Sequence, residues 1–366
     1  MKIECVKNKL TELLTKMEKV VGKNTNHPVL KCFLFEAKNG RLLIKATNLD
    51  LGVQSEMVVR VLKEGMVAIP ADVFTGLLVQ TPPGGNVTLE SSGTTLSVST
   101  NHSKTVIKLL SADDFPNIPE TSDEVSVSIP APDLVKGLQS VWYASATSSM
   151  KPELSSVYVY YDQKHLIFVA TDSFRLAEKK VVVKKISDFP QTLIPFKNVV
   201  DIIRLFSDYK GDVKLSAVKG QISLSGDDMY VVSRVVEGSF PDYKQIIPST
   251  FKTEVTLLKQ DFVSGLKIST IFSDTFHEVH FHLSPKKKLL ELSAKNEHVG
   301  ENTLSLDAVL KGDEIDISFN HRYLVECFQS IGADSLSLGF NGEHKPLVLH
   351  GISDSSFTYL VMPMNK

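Results

Sequence analysis

The sequence predicts an α+β fold made of three tandem copies of one unit, each with two helices packed on antiparallel sheets. Three observations carry that expectation. First, residues 166–177, LIFVATDSFRLA, have counterparts at 42–48, LLIKATN, and 290–296, LELSAKN, and the alanines Ala46, Ala170 and Ala294 lie 124 residues apart each time. Second, the register extends without gaps into the preceding strand. Phe33 matches Val157 and Phe281, and Phe35 matches Val159 and Leu283. Leu42 matches Leu166 and Leu290, Ile44 matches Phe168 and Leu292, and Asn48 matches Asp172 and Asn296. Each copy thus reads as a β-hairpin with an apolar inward face at period two, turning at Asn39-Gly40, Gln163-Lys164 or Lys287-Lys288. Third, 366 residues hold three copies of about 120.

The elements follow in order. Residues 7–23, KNKLTELLTKMEKVVGK, place Leu10, Leu13, Leu14, Met17 and Val20 or Val21 on one helical stripe, with Lys9, Lys16, Lys19 and Lys23 largely away from it. After the first hairpin and a strand ending near Val61, Pro70 opens a helix, PADVFTGLLVQT, with Asp72 in its first turn. Pro82-Pro83-Gly84-Gly85 closes it, and NVTLES, TLSVST and residues 106–110 read as strands. An extended linker, Phe115-Pro116-Asn117-Ile118-Pro119, ends the copy.

The central copy repeats this order. A strand at 125–129 precedes a helix, DLVKGLQSVWYASA, whose Leu134, Gly137 and Leu138 echo Phe262, Gly265 and Leu266 at an offset of 128. A proline-opened helix, LIPFKNVVDIIRLFSDYKG, carries Lys197, Arg204 and Lys210. DVKLSAVKGQISLSG reads as the paired strand and YVVSRVV follows, and Phe240-Pro241-Asp242-Tyr243 matches the Phe115-Pro116 linker at an offset of 125. The last copy has helices in LKQDFVSGLKISTIFS and ISFNHRYLVECFQSI, strands in SLSLGF and LVLHG, and a final strand in FTYLVMPMNK. The expected domains are 1–122, 123–250 and 251–366. Six helices in equivalent places carry thin basic faces, which a curved repeat array would put on one side.

Composition bounds the function. Hydrophobic residues at 42% and charged residues at 22% indicate an ordinary globular chain. MKIECVKNKL lacks the apolar core of a signal peptide, and no run approaches the ~20 apolar residues of a membrane helix, so a cytosolic location is expected. Cys5, Cys32 and Cys327 suit neither a disulfide framework nor a zinc site and read as small core residues. A net charge of −2 by itself predicts no nucleic-acid partner; what decides is whether basic residues share a face.

Catalytic motifs are missing. Gly22-Lys23-Asn24-Thr25 lacks the upstream glycine of a phosphate loop, and no G-x-G-x-x-G occurs. His277-Glu278-Val279-His280 misses H-E-x-x-H by one residue, so its histidines would not share a helical turn. His280 and His282 would share a strand face, as ordinary surface histidines or as a weak metal pair. Asp172 and Arg175 form a pair found in the middle copy alone, without a base or nucleophile beside them. The expectation is no catalytic residue, no metal and no cofactor.

With the repeat in hand, the chain resembles the bacterial DNA sliding clamp family, the β subunit of the replicative DNA polymerase III holoenzyme. The resemblance spans the whole chain in length and repeat order. It is carried most specifically by Ala170-Thr171-Asp172-Ser173-Phe174-Arg175-Leu176-Ala177, Phe240-Pro241-Asp242-Tyr243 and Tyr359-Leu360-Val361-Met362-Pro363-Met364. It implies three DNA-clamp domains per chain and a head-to-tail homodimer closed into a six-domain ring. Twelve helices would line a hole that encircles duplex DNA without reading its sequence. A modest basic lining suits sliding, because tight phosphate contacts would slow it.

By match to the family, Lys23 and Asn24 lie near the hole; the family often has Arg where Asn24 stands, so a weaker contact is expected there. Lys197 and Arg204 are DNA-contact candidates on helix spacing alone. The resemblance further implies a pocket for short linear motifs of polymerase, clamp loader and repair proteins. Its wall would comprise Leu154, Thr171, Ser173, Phe174, Arg175, Leu176, Pro241, Ile246, Leu360, Met362, Pro363 and Met364. Methionine and proline make an adaptable apolar surface there, for affinities in the ~μM range. Two departures fall at this pocket: Ser173-Phe174 replaces the common Gly-His, and Asn365-Lys366 replaces the common Arg-Leu ending. Thr105 and Ile107 would face Ile271 and Phe272 across the protomer interface, joining sheet edges. Competing readings are a repeat scaffold of the same fold that binds proteins without encircling DNA, and a hydrolase using Asp172 with His277–His282.

Overall fold

The inward faces of all three hairpins are buried in the computed structural model, which describes residues 1–22, 26–101, 103–121, 125–148, 150–184, 189–218 and 220–364. Phe33, Phe35, Leu42, Ile44, Val157, Val159, Leu166, Phe168, Phe281, Leu283, Leu290 and Leu292 are all core residues. Period-two patterning therefore fixed the facing of these strands, since a slip of one residue would turn every one of them to solvent.

A slip of two residues is invisible to the same pattern, and the third hairpin contains one. Lys38 pairs with Arg41 and Asp162 with His165 across two-residue turns. In the third copy Ser284 pairs with Leu289, and a four-residue turn with a 3-10 segment at Pro285–Lys287 and Lys288 at φ +51° intervenes. Leu283 thus faces Leu290, whereas gap-free register would pair it with Leu292. The expected turn at Lys287-Lys288 is corrected accordingly.

Six α-helices lie among the described residues: α1 Lys7–Met17, α2 Ala71–Gln80, α3 Ala131–Gln139, α4 Phe196–Phe206, α5 Lys259–Ile271 and α6 His321–Glu326. Each occupies an expected place, but four are shorter than the sequence pattern: α4 ends at Phe206, so Lys210 lies beyond it rather than on the helix. α1 gives way to a 3-10 turn at Glu18–Val20, α3 stops before the 3-10 turn Trp142–Ala144, and α6 before Cys327–Ser330. The apolar stripe continues through these turns, as buried Val20, Tyr143 and Phe328 show, so periodicity could not mark the change of helix type. Pro70 and Pro195 occupy the residue just before α2 and α4, and the Asn320 side chain caps α6 by accepting the Arg322 N–H at 3.0 Å. Gly137 of α3 is required by packing: a Cβ there would lie 2.5 Å from the Phe168 ring.

The chain forms two compact units. The first comprises Met1–Val135 with Ile186–Val235, the second Lys136–Lys185 with Val236–Lys366. In the first, a five-stranded antiparallel sheet orders Arg60–Lys63, Lys2–Val6, Asn86–Ser92, Thr95–Ser99 and Lys104–Lys108. Its eight-stranded sheet passes from the central copy into the first copy where Met229–Arg234 pairs with Leu51–Val58. The second unit repeats that junction, with Arg175–Val182 paired to Asp354–Val361. A four-stranded sheet, Gly300–Leu306, Leu289–Asn296, Glu278–Ser284 and Ile315–Asn320, completes it.

Candidate functional site

The turn after the central hairpin uses its own polar groups almost completely. Thr171 Oγ1 donates to Arg175 O at 2.6 Å and accepts the Ser173 N–H at 3.2 Å. Asp172 Oδ1 accepts the N–H groups of Phe174 and Arg175 at 2.9 and 3.0 Å, an Asx turn that continues into the next strand. Ser173 lies at φ +79°, in the left-handed region that favours glycine.

Arg175 anchors this turn from beneath. Its Nε donates to Asp172 Oδ2 at 3.0 Å, one terminal nitrogen donates to Glu326 Oε2, and the other donates to Tyr143 O at 2.6 Å. The guanidinium lies over the Tyr323 ring at 4.6 Å. Burial opposes its charge, but Tyr359, Glu326 and Asp172 outweigh that effect and hold its pKa above the usual value. Both oxygens of Asp172 are engaged, so it offers no free carboxylate for catalysis. Sequence reasoning found Asp172 and Arg175 but missed Tyr143, Tyr323 and Glu326. The available signal was an arginine in a turn whose neighbours are apolar, which calls for several acceptors elsewhere in the chain.

The residues expected to form the wall divide into buried and exposed ones. Leu154, Thr171, Arg175, Leu176 and Leu360 are buried. Leu176 and Leu360 join a core cluster with Tyr160, Ile167, Val169, Tyr243 and Val348. Pro241 is exposed, Ile246 is 50% exposed, Phe174 60% and Met362 36%; Ser173 is exposed, and Pro363 and Met364 are half-buried. The final strand stops at Val361, and the tail beyond is pinned by its backbone: Met362 N–H donates to Phe174 O and Met364 N–H to Ser318 O, each at 2.8 Å. This tail is therefore not the continuing strand that FTYLVMPMNK suggested. Asn365 and Lys366 lie outside the described residues.

The other candidates fall elsewhere. Lys197 is exposed on α4, while Arg204 donates to Asp201 at 2.6 Å, which offsets its charge. Lys23 and Asn24 lie outside the described residues. On the edge strand Lys104–Lys108, Thr105 is half-buried and Ile107 is inside its own sheet, while neighbouring Val106 is exposed. Ile271, at the end of α5, is 65% exposed, and Phe272 is half-buried. His280 and His282 do share a strand face, where both contact Asp316, at 3.3 and 2.9 Å. Among the described residues, no group of three or more His, Cys, Asp and Glu could hold a metal. No helix of the described residues is long and apolar enough to cross a membrane.

Fold and repeat together define a three-domain DNA clamp. Family models of the DNA polymerase III beta subunit match in order: the N-terminal domain at residues 1–119, the central domain at 128–242 and the C-terminal domain at 244–365. The chain belongs to that family, the bacterial beta sliding clamps. It is 28% identical over 372 residues to the beta sliding clamp of Synechococcus elongatus, covering 100% of this chain and 99% of that one. The Staphylococcus aureus beta sliding clamp is 23% identical over 356 residues, 94% of each chain. Among solved structures, the DNA polymerase III beta subunit of Thermotoga maritima aligns at a TM-score of 0.93 and 24% identity, covering 100% of this chain and 99% of that one. The sliding clamp of Bartonella birtlesii bound to griselimycin aligns at 0.93 and 25%, covering 100% of both chains. The protein is a non-catalytic processivity clamp of DNA polymerase III, and its partners are DNA and polymerase.

Proposed function

We propose that the chain works as a head-to-tail homodimer, a ring of six domains bounded at 1–122, 123–250 and 251–366. It encircles duplex DNA in the nucleoid-associated cytoplasm without base readout. Replicative polymerase, clamp loader and repair proteins dock through short linear motifs on Phe174, Pro241, Ile246, Met362, Pro363 and Met364, above the floor of Leu154, Thr171, Leu176 and Leu360. The observation that supports this reading is the mounting of Phe174. Its N–H is held by Asp172 and its carbonyl by Met362, while its ring stays exposed. A rigid, exposed aromatic beside methionine is what a partner's anchoring residues can bury without ordering the site first.

Exposed Lys197 is the DNA-facing candidate of α4, and Lys23 and Asn24 are candidates by match to the family. Arg204 contributes less because Asp201 holds it. Thr105 and Ile107 lie on the strand that meets Ile271 and Phe272 of the second protomer. The test is retention on DNA after loading by the cognate loader with ATP, on a nicked circle and on the same DNA cut once. Protein kept on the circle and lost from the cut ends is held by topology. Equal loss from both overturns the ring and leaves the non-encircling scaffold.

A further inference from the structure

The turn that mounts Phe174 is built twice. In the first unit Thr47 Oγ1 donates to Leu51 O at 2.9 Å and accepts the Leu49 N–H at 3.0 Å. Asn48 Oδ1 accepts the N–H groups of Asp50 and Leu51 at 3.0 and 2.8 Å. Leu49 has φ +77°, against +79° at Ser173. Arg234 N–H donates to Asp50 O at 2.8 Å, as Met362 N–H does to Phe174 O. Gly52 pairs with Val232 where Leu176 pairs with Leu360. The linker after Pro116 lays Ile118 against Gly52, just as the linker after Pro241 buries Tyr243 in the cluster holding Leu176; a Cβ on Gly52 would lie 3.0 Å from Ile118. Position for position, Asp50 stands for Phe174, Gly52 for Leu176, Pro116 for Pro241, Val232 for Leu360 and Arg234 for Met362.

These residues line an actual cleft of about 260 Å³, bounded further by Asn117, Pro119 and Gln221. Its floor, Ile118 and Val232, is apolar and buried. Its rim differs from the pocket in kind: the two exposed apolar groups are replaced by an exposed carboxylate and an exposed guanidinium. Neither Asp50 nor Arg234 has an ion-pair partner among the described residues. A volume of this size takes one aliphatic side chain with adjoining backbone. An all-apolar peptide would strip water from both charges without replacing it, which costs more than the contact returns. A peptide bearing a base and an acid on either side of the aliphatic residue pairs with both.

We infer that this cleft is a second docking site, for an extended peptide segment that sets one aliphatic side chain between a basic and an acidic residue. The inference rests on the reading of the equivalent pocket as a peptide site. The two sites then sort partners by charge, and binding at the cleft weakens with salt while binding at the pocket does not.

The test uses the full chain with labelled Ile, Leu and Val methyl groups. The probes are acetylated, amidated tripeptides: Lys-Leu-Glu, Glu-Leu-Lys and, as control, Gln-Leu-Gln. One charged order is expected to shift the Ile118 and Val232 signals at a concentration at least about fivefold below the control, the scale of about 1 kcal/mol from paired charges. Combining Asp50→Lys with Arg234→Glu is expected to transfer the preference to the other order. The inference is overturned if no peptide shifts these signals at ~1 mM, the weak-binding end of the affinity scale. It also falls if the control binds equally, or if the double reversal leaves the preference unmoved. An apolar probe, acetyl-Leu-Phe-amide, read at the Leu176, Ile246 and Leu360 methyls tests the pocket reading separately.

Discussion

Phe174 keeps most of its ring in water although both of its backbone groups are tied down. Such a side chain contributes to binding a partner and little to folding. Phe174→Ala is therefore expected to weaken a motif peptide about tenfold, near 1.4 kcal/mol, with no change in the unfolding midpoint. Fluorescence anisotropy and a thermal melt check the two halves. Ser173 is the converse case. Its φ of +79° costs an L-residue on the order of 1 kcal/mol, so Ser173→Gly is expected to raise the unfolding midpoint while leaving peptide affinity within about twofold. An unchanged or lowered midpoint would mean that the Ser173 contacts outweigh the backbone cost. Arg175 shows why only part of this site was legible. A copy-specific Asp-x-x-Arg is visible in sequence, but its other partners, Tyr143 and Glu326, are 32 and 151 residues away and have no periodicity to betray them.

At the scale of elements, hairpin facing was legible because alternation is a local signal and burial enforces it. Register at the third hairpin was not, because a two-residue shift leaves every residue on its expected face. The junction of α5 with α6 adds a titratable feature that no motif announced. His321, at the start of α6, is buried, accepts or donates at Ser273 Oγ over 3.1 Å, and packs edge-on against His277. Burial first, then His277 and Arg322, depress its pKa below 6.5, with Asp274 acting the other way. The unfolded chain therefore binds a proton that the folded chain refuses. This contribution is fully present above pH 6.5 and is lost as the pH falls toward the depressed folded value. The unfolding midpoint is expected to drop between pH 7 and 5.5, and less steeply in His321→Gln. Parallel profiles for the two proteins would remove His321 as the cause.

For the whole molecule, the threefold architecture was legible from one hairpin because the same face is buried each time. The division into two compact units was not, since it cuts through the central copy and follows sheet pairing. Assembly is where the largest consequence of a small change is expected. Ile271 ends α5 largely exposed, and the strand Lys104–Lys108 is a sheet edge among the described residues. Open edges and exposed apolar side chains of this kind are what an interface with another chain covers. Replacing both Ile271 and Phe272 with Ala is expected to give monomers at micromolar concentration, measured by sedimentation; a dimeric mass would place the interface elsewhere.

The saturated turn beneath Phe174 has one more implication. Because Thr171, Asp172 and Arg175 already satisfy one another, a motif docked as proposed would find little there to ionise or to exchange hydrogen bonds with. Its association should carry the negative heat capacity of buried apolar surface and little dependence on ionic strength. Contacts with DNA phosphates have the opposite character, releasing counterions and fading steeply as salt rises. Added salt is thus expected to weaken contacts with DNA while leaving binding at the Phe174 pocket unchanged.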